Sequence, residues 1–187
     1  MTTLNKEDSR LTRHGEMDMR HVISALVQNE PGVLAHVAGM FAARGFNIDS
    51  LVVGRTEDPV LSRMTIVVIG DDKVLEQVRK QLGKIITVVK VRDFADVAYV
   101  ERDLMICRIH ATPEKRGEVV DLVNLFRGKV VDVARTSILV ELSGTEDKVE
   151  AFLDMVKPYG IREVARTGVI AVQRGQQRNG RAESDEE

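Results

Sequence analysis

The sequence predicts an α+β fold built from two tandem βαββαβ units. Strand-like and helix-like hydrophobic patterns alternate along the 187 residues, and the same order of six elements occurs twice. Glycine or proline follows the apolar stripe of several predicted helices, where a helix is expected to end. A βαββαβ unit forms a ferredoxin-like fold, in which one antiparallel sheet carries two helices on one face. The chain is long enough for two such units.

The first unit begins with a largely apolar strand at 21–28, which a Pro31-Gly32 turn separates from a helix. In that helix, apolar residues recur at helical spacing from Val33 to Phe41, and Gly45 is placed to end it. The other predicted elements are strands at 46–54 and 63–69, a helix with its apolar stripe over 74–82, and a closing strand at 85–91.

The second unit repeats this order, starting with a strand at 103–111. Thr112 is placed as the N-cap of the next helix, Pro113 as its first residue and Gly128 as its end. Thr145 is placed to cap the last helix, which Pro158 and Gly160 terminate. The strands that complete the unit are predicted at 129–134, 137–142 and 161–172.

We therefore expect four segments: a disordered leader at 1–19, an effector-binding domain at 20–93, a C-terminal ferredoxin-like domain at 101–173, and a disordered tail at 174–187. The linker between the domains is expected within 93–102. A sheet with helices on one face leaves its other face and its edge strands available. We therefore expect a homodimer or larger assembly.

Composition argues against several classes of protein. The net charge of -2 and the absence of tryptophan give no electrostatic or stacking basis for binding nucleic acid. No apolar stretch is long enough to span a bilayer, and the N-terminus does not resemble a signal peptide, so a cytoplasmic location is expected. The single cysteine, Cys107, excludes an intrachain disulfide, and the four histidines show no metal-ligand spacing, so no metal site is expected.

The first candidate site is the strand-to-helix turn from Asn29 to Leu34. Gly32 lets a ligand approach the backbone, and the N–H groups of Gly32, Val33 and Leu34 are unpaired donors at a helix start. Such a turn suits a carboxylate, for example that of an amino acid. An ordinary turn with Asn29 as the helix cap is the competing interpretation, and the spacing alone favours it.

The second candidate is Asn47, a polar residue at the predicted start of a strand. Its side chain could pair with an ammonium or carboxylate group, or it could be an ordinary solvent-facing turn residue. The second unit has Ala111 in place of Asn29 and lacks the asparagine after its helix. This difference indicates that the first unit senses a ligand and that the second has another task.

No pattern in the sequence indicates catalysis. Cys107 alternates with apolar residues along its strand and is expected in the core. His36 and His110 have no neighbouring nucleophile in sequence, and phosphate-binding glycine motifs are absent.

Several short runs of residues resemble a known family. They are NEPGVL at 29–34, RGFNIDSL at 44–51, LSRMTI at 61–66, VLEQV at 74–78, VERDL at 100–104, FRG at 126–128 and RTGV at 166–169. Over 21–175 the chain resembles the small regulatory subunit of acetolactate synthase (acetohydroxyacid synthase), a family with an ACT domain. The LSRMT run and the second unit make the resemblance specific to this family.

The resemblance implies a non-catalytic chain that activates a large catalytic subunit of acetolactate synthase. Thiamine diphosphate, Mg²⁺ and FAD would then belong to that partner, and this chain would bind none of them. The resemblance also implies feedback inhibition by a branched-chain amino acid, most commonly valine, in valine, leucine and isoleucine biosynthesis. The N-terminal extension and the acidic tail depart from the family pattern.

In the family, effector sites lie between the ACT domains of a dimer. The residues of this chain at the matching positions are Asn29, Gly32, Val33, Leu34, Asn47 and Ile48. With these residues, backbone N–H groups at the helix start would bind the effector carboxylate, and side-chain oxygens of Asn29 and Asn47 would accept from its ammonium. Val33 and Ile48 would contact its aliphatic side chain.

Two alternatives belong to other classes of protein. One is a free-standing ACT-type sensor that controls a transcription factor or another biosynthetic enzyme. The other is a small enzyme on a ferredoxin-like scaffold, since the fold by itself does not define a function.

Overall fold

The computed structural model describes residues 10–11 and 17–175 and confirms the predicted fold of two ferredoxin-like units. The first sheet has the spatial order β5-β2-β4-β3, with every neighbouring pair antiparallel. Its elements are β1 (Arg10–Leu11), β2 (Met17–Gln28), α1 (Val33–Ala42), β3 (Ser50–Arg55), β4 (Leu61–Gly70), α2 (Asp72–Leu82) and β5 (Val88–Asp93).

The second sheet repeats this order as β9-β6-β8-β7, and β10 also pairs with β6. Its elements are β6 (Tyr99–His110), α3 (Arg116–Leu125), β7 (Lys129–Val133), β8 (Ser137–Gly144), α4 (Glu146–Val156), a 3₁₀ turn (Lys157–Tyr159), β9 (Ile161–Arg166) and β10 (Ile170–Gln173).

Each unit has its own core between the sheet and the two helices. In β2, the alternate residues Ile23, Ala25 and Val27 point toward the helices and are fully or almost fully buried. The apolar stripe of α1 covers them, with Val37 and Phe41 buried in the same cluster. The core of the second unit is formed in the same way from aliphatic residues, Phe152 and Cys107.

The strand predicted at 46–54 begins only at Ser50. After α1, Gly45 adopts a φ of 70°, and the Phe46 N–H donates to the carbonyl of Phe41 at 3.1 Å. The Phe46 ring packs edge-on against the Phe41 ring, with centroids 6.2 Å apart. These contacts turn the chain back over the helix end, so that Asn47 lies in a loop.

Helix α3 begins at Arg116, three residues later than the Thr112 cap predicts. The Lys115 N–H donates to the Thr112 carbonyl at 3.1 Å, so residues 112–115 form a separate turn before the helix. Thr145 does occupy the N-cap position of α4, although its side chain makes no capping hydrogen bond.

The strand predicted at 161–172 is two strands. Gly168 has a φ of 85°, which separates β9 from β10. The β9 strand pairs with the second half of β6, and β10 pairs with the first half, Tyr99 to Arg102.

Strand structure also extends into the segment expected to be a leader, 1–19. The β2 strand begins at Met17, and Arg10–Leu11 pairs with Met17 and Asp18. Residues 1–9 and 12–16 of the leader, and 176–187 of the expected tail, lie outside the described residues. Because β6 already begins at Tyr99, the connection between the two sheets is shorter than the expected linker.

None of the helices in the described part of the chain is long and apolar enough to cross a membrane.

The buried position of Cys107 leads to a prediction for the reactivity of its thiol. Its side chain is fully buried, and burial raises the pKa of the thiol to about 11. At pH 8 the native thiol should react with iodoacetamide at least roughly a hundred times more slowly than in denaturant, where the pKa of an unfolded cysteine is about 8.5. Mass spectrometry of quenched samples measures both rates at the single cysteine, and equal rates would contradict the buried placement.

Candidate functional site

The start of α1 is open and carries no side-chain cap. Gly32 occupies the N-cap position with a φ of 86°, and a β-carbon at Gly32 would meet no atom within 4 Å. The first turn of α1 contains no acidic residue. Helices α2, α3 and α4 each have an acidic side chain there, and Asp71 accepts a hydrogen bond from the Val74 N–H at the start of α2. No acidic side chain in the first turn of α1 therefore offsets the positive end of the helix dipole.

Asn29 lies beside this helix start but does not cap the helix. Its Nδ2 donates to the Pro59 carbonyl at 3.0 Å, and its Oδ1 accepts from the Ser62 hydroxyl at 3.2 Å. Its backbone N–H donates to the Val60 carbonyl at 2.8 Å. The interpretation of Asn29 as a simple helix cap is thus wrong, because the residue is bound to the hairpin loop between β3 and β4.

The predicted residues Asn47 and Ile48 lie beyond the other end of α1. The Asn47 side chain is exposed, and none of the hydrogen bonds between described residues involves it. Ile48 is half-buried against the core of the first unit. A β-carbon at Gly45, in the turn before them, would meet no atom within 4 Å.

Helix α1 separates the two groups of predicted residues. It has ten residues, which corresponds to about 15 Å of helix. Asn29, Gly32 and Leu34 lie at its start, where Leu34 is 46% exposed, whereas Val33 is 4% exposed and belongs to the core. The described residues of one chain therefore present two open half-sites at opposite ends of α1. Surface clefts of about 330 and 580 Å³ lie elsewhere and are lined by other residues.

Sequence reasoning missed a third feature, the contact between the two units beside β3. The Val169 N–H donates to the Ser50 hydroxyl at 3.2 Å. A β-carbon on Gly168 would lie 2.6 Å from Ser50 Oγ and 2.9 Å from Val52 Cγ2. The turn at 167–169 therefore lies directly against the start of β3, three residues after Asn47. The RTGV run at 166–169 was its only signal in the sequence.

Apolar residues extend this contact over the face of the first sheet that lacks helices. Val22 and Val67 on that face are at most 3% exposed. They are covered by Phe94 from the connection between the sheets and by Val169 and Ala171 from the end of the second unit. The cluster joins the two units through the hydrophobic effect, as a small domain core would.

An ionic cluster lies in the same interface. Arg20 of β2 donates to Glu146 of α4 at 2.7 Å and to Glu101 of β6 at 3.1 Å. Burial lowers the pKa of Arg20, but the charges of Glu101 and Glu146 outweigh this and leave it above its ordinary value. Burial raises the pKa of Glu146, and Arg20 and Arg166 offset this only in part.

The same cluster continues inside the second unit. Asp103 is fully buried, and both Nε and Nη2 of Arg166 donate to its carboxylate, at 2.7 and 2.6 Å. Arg166 also contacts Glu150 and lies 3.8 Å from Glu146. A carboxylate with no exposure needs such a paired guanidinium, because water does not reach it.

These observations define the class of the chain as a tandem ferredoxin-like protein whose first unit carries open loops at the two ends of one helix. Residues 23–90 match the family model described as the AHAS small subunit-like ACT domain. Residues 102–175 match the model described as the small subunit of acetolactate synthase. The chain belongs to the family of acetolactate synthase small subunits.

Individual relatives agree with this assignment. The chain is 59% identical to a probable acetolactate synthase small subunit of Archaeoglobus fulgidus, over 84% of this chain and 98% of the relative. It is 47% identical to the acetolactate synthase isozyme 3 small subunit of Salmonella typhimurium, over 84% and 97%. The crystal structure of the acetolactate synthase small subunit from Thermotoga maritima superposes with a TM-score of 0.78 at 42% identity, covering 84% of this chain and 99% of that one.

The contact at Gly168 makes a prediction for stability. Gly168→Ala combines a positive φ with a β-carbon 2.6 Å from Ser50 Oγ, so it should lower the free energy of unfolding by at least about 2 kcal/mol. Gly54→Ala in β3 is the matched control, because a β-carbon there meets nothing within 4 Å. Thermal unfolding by circular dichroism compares them. Equal melting temperatures for the two variants would contradict the close approach of the turn to β3.

Proposed function

We propose that this chain is the non-catalytic regulatory subunit of an acetolactate synthase complex. It binds a large catalytic subunit, raises its activity and makes it sensitive to feedback inhibition by a branched-chain amino acid, with valine as the first candidate. Family membership supports the partner. The start of α1 beside Asn29 is the observation that supports an amino-acid effector, because its first turn offers donors to a carboxylate and contains no acidic residue.

The two half-sites offer complementary chemistry. N–H groups at the start of α1 and the positive end of its dipole attract a carboxylate. The Val33 N–H, expected from the sequence to be unpaired, already donates to the Glu30 carbonyl at 3.5 Å. At the other end, the exposed Asn47 side chain has an oxygen available for an ammonium group. Leu34 and Ile48 offer apolar surface to an aliphatic side chain, whereas Val33, expected from the sequence to do so, is buried in the core.

A second copy of the chain can bring the two halves together. The helix start and the 46–49 loop lie about 15 Å apart along α1, which exceeds the size of an amino acid. If α1 of one protomer lies antiparallel to α1 of its partner, each helix start faces the other protomer's loop. The second half of the edge strand β3, residues 53–55, is exposed and is available for the same association.

The position of the 46–49 loop supports a route for regulation. An effector bound at Asn47 contacts a loop that leads directly into Ser50, and Ser50 accepts from the Val169 N–H of the second unit. A shift of the loop would change the packing of the two units, which the catalytic subunit can sense if it contacts both. A coupling free energy of about 1 to 3 kcal/mol corresponds to a several-fold to hundred-fold effect.

Under this proposal, thiamine diphosphate, Mg²⁺ and FAD belong to the catalytic subunit. Among the described residues, no group of three or more His, Cys, Asp or Glu side chains is arranged to hold a metal ion.

The proposed function is tested by measuring acetolactate formation by the large subunit with and without this chain. Formation of acetolactate from pyruvate by the isolated chain would contradict the non-catalytic role.

The Asn47→Ala variant tests the effector site. It removes one hydrogen bond to a charged group, worth about 1.5 to 3 kcal/mol, so the valine concentration for half-inhibition should rise about ten- to a hundred-fold. Activation of the large subunit should persist, because Asn47 makes no side-chain hydrogen bond to the rest of the described chain. Asn124→Ala, at an exposed asparagine of α3, is the control, and its complex should be inhibited normally. An unchanged inhibition curve for Asn47→Ala would exclude Asn47 from the site.

The association of two half-sites predicts at least a dimer in solution. Light scattering at micromolar concentration should give a mass of twice 20.8 kDa or more, and valine should stabilise that form because its site spans two chains. A monomer in the presence and absence of valine, leucine and isoleucine would contradict a shared site.

A further inference from the structure

The orientation of the Asn29 amide is determined by its neighbours. The Pro59 carbonyl, 3.0 Å away, is only an acceptor, so the amide atom that faces it is the nitrogen. The amide oxygen then faces Ser62, and the Ser62 hydroxyl must donate its single hydrogen to it over 3.2 Å. Rotating the amide by 180° would place its oxygen against the Pro59 carbonyl and lose a hydrogen bond.

Both neighbours are themselves held in place. Ser62 is 6% exposed and pairs with Val27 between the two inner strands of the sheet, β2 and β4. The loop that carries Pro59 is closed by hydrogen bonds to Asp58: its side chain accepts from the Val60 N–H at 3.0 Å, and its carbonyl accepts from the Leu61 N–H at 3.0 Å. The two groups therefore form a rigid cradle for the Asn29 side chain.

An amide nitrogen carries two hydrogens, and Pro59 takes one. The other is a donor with no partner among the contacts of the described chain, whereas one of the oxygen's acceptor positions is already used by Ser62. The cradle thus leaves Asn29, three residues before the Gly32 N-cap, with one amide hydrogen available to donate, in keeping with a carboxylate ligand. This differs from the expectation that the Asn29 oxygen accepts from an ammonium.

We propose that Ser62 is a positioning residue of the effector site, which holds the Asn29 amide with its nitrogen available to the effector carboxylate. This inference rests on the proposed function, because it assumes an amino-acid effector at the start of α1. It also assigns a role to the hairpin loop at 56–60. The second unit has a shorter loop, 134–136, and Ala111 in place of the amide, so the longer loop and the amide occur together.

The second unit supplies a matched control. Ser137 begins β8, the equivalent of β4, and is 4% exposed, which is close to the exposure of Ser62. It lies beside Ala111 rather than an asparagine, since the Ala111 N–H donates to the neighbouring Thr136 carbonyl. Ser137 pairs with His110 as Leu61 pairs with Gln28, so it lies one position earlier in its strand than Ser62 does. Ser137→Ala therefore removes a comparably buried hydroxyl without touching an amide.

The test uses calorimetric titration of the full chain with L-valine and with L-valinamide, which keeps the ammonium and side chain but lacks the carboxylate. Ser62→Ala should weaken valine binding about 3- to 10-fold, because one hydrogen bond that orients the amide is lost. Valinamide binding should change less than about 2-fold, and Ser62→Thr, which keeps a hydroxyl, should restore valine binding. Ser137→Ala should bind both ligands as the unmodified chain does.

Two outcomes would overturn the role of Ser62: an unchanged valine affinity in Ser62→Ala, or equal losses for valine and valinamide, which would indicate a general structural effect. An unmodified chain that binds none of valine, leucine and isoleucine would instead overturn the proposed function and this inference with it. A chain that binds valine, with Ser62→Ala indistinguishable from it, would overturn the inference alone.

Discussion

Strand β6 takes part in two separate packings, and the arrangement of the two units depends on it. Its second half, from Asp103 to His110, pairs with β8 and is the centre of the second sheet. Its first half, from Tyr99, pairs with β10, and the strands together place Val169 and Ala171 on the open face of the first sheet. The strand is continuous from Tyr99 to His110. The same strand therefore forms the centre of the second sheet and, through β10, holds the second unit against the first.

This packing explains why the two sheets have different surroundings although they share one topology. The open face of the first sheet is covered by the connection and the C-terminal strand, which bury Val22 and Val67. Polar residues then secure the contact: Arg20 reaches Glu146, and the Val169 N–H reaches Ser50. Apolar burial provides the stabilisation, whereas these directional bonds fix the register of one unit on the other.

The two units differ at the end of the sheet where the first helix of each unit begins. The first unit has Gly32 at a helix start with no acidic residue in its first turn, Asn29 beside it and a loop long enough to hold the Asn29 amide. In the second unit Ala111 follows the corresponding strand, β6, and the turn at 112–115 precedes the helix. Both units keep the same fold because the core positions on the helix-facing side of each sheet are hydrophobic in both.

The sequence by itself determined the α+β class, the order of the elements and their repetition, because hydrophobic periodicity reflects which face of each element is buried. It also singled out the turn from Asn29 to Gly32 as a possible carboxylate site, and Asn47 as a polar residue at a predicted strand start that the structure places in a loop. It misplaced the start of β3, where the packing of Phe46 on Phe41 overrides a strand-like run.

Only the tertiary structure decided the rest. The last predicted strand is divided at Gly168, where the turn packs against β3. Two further contacts join residues that are distant in sequence: the bonds from Asn29 to Pro59 and Ser62, and the buried pair of Asp103 and Arg166. Periodicity carries information about neighbours along the chain, whereas these contacts depend on how the sheets twist and on what each unit packs against.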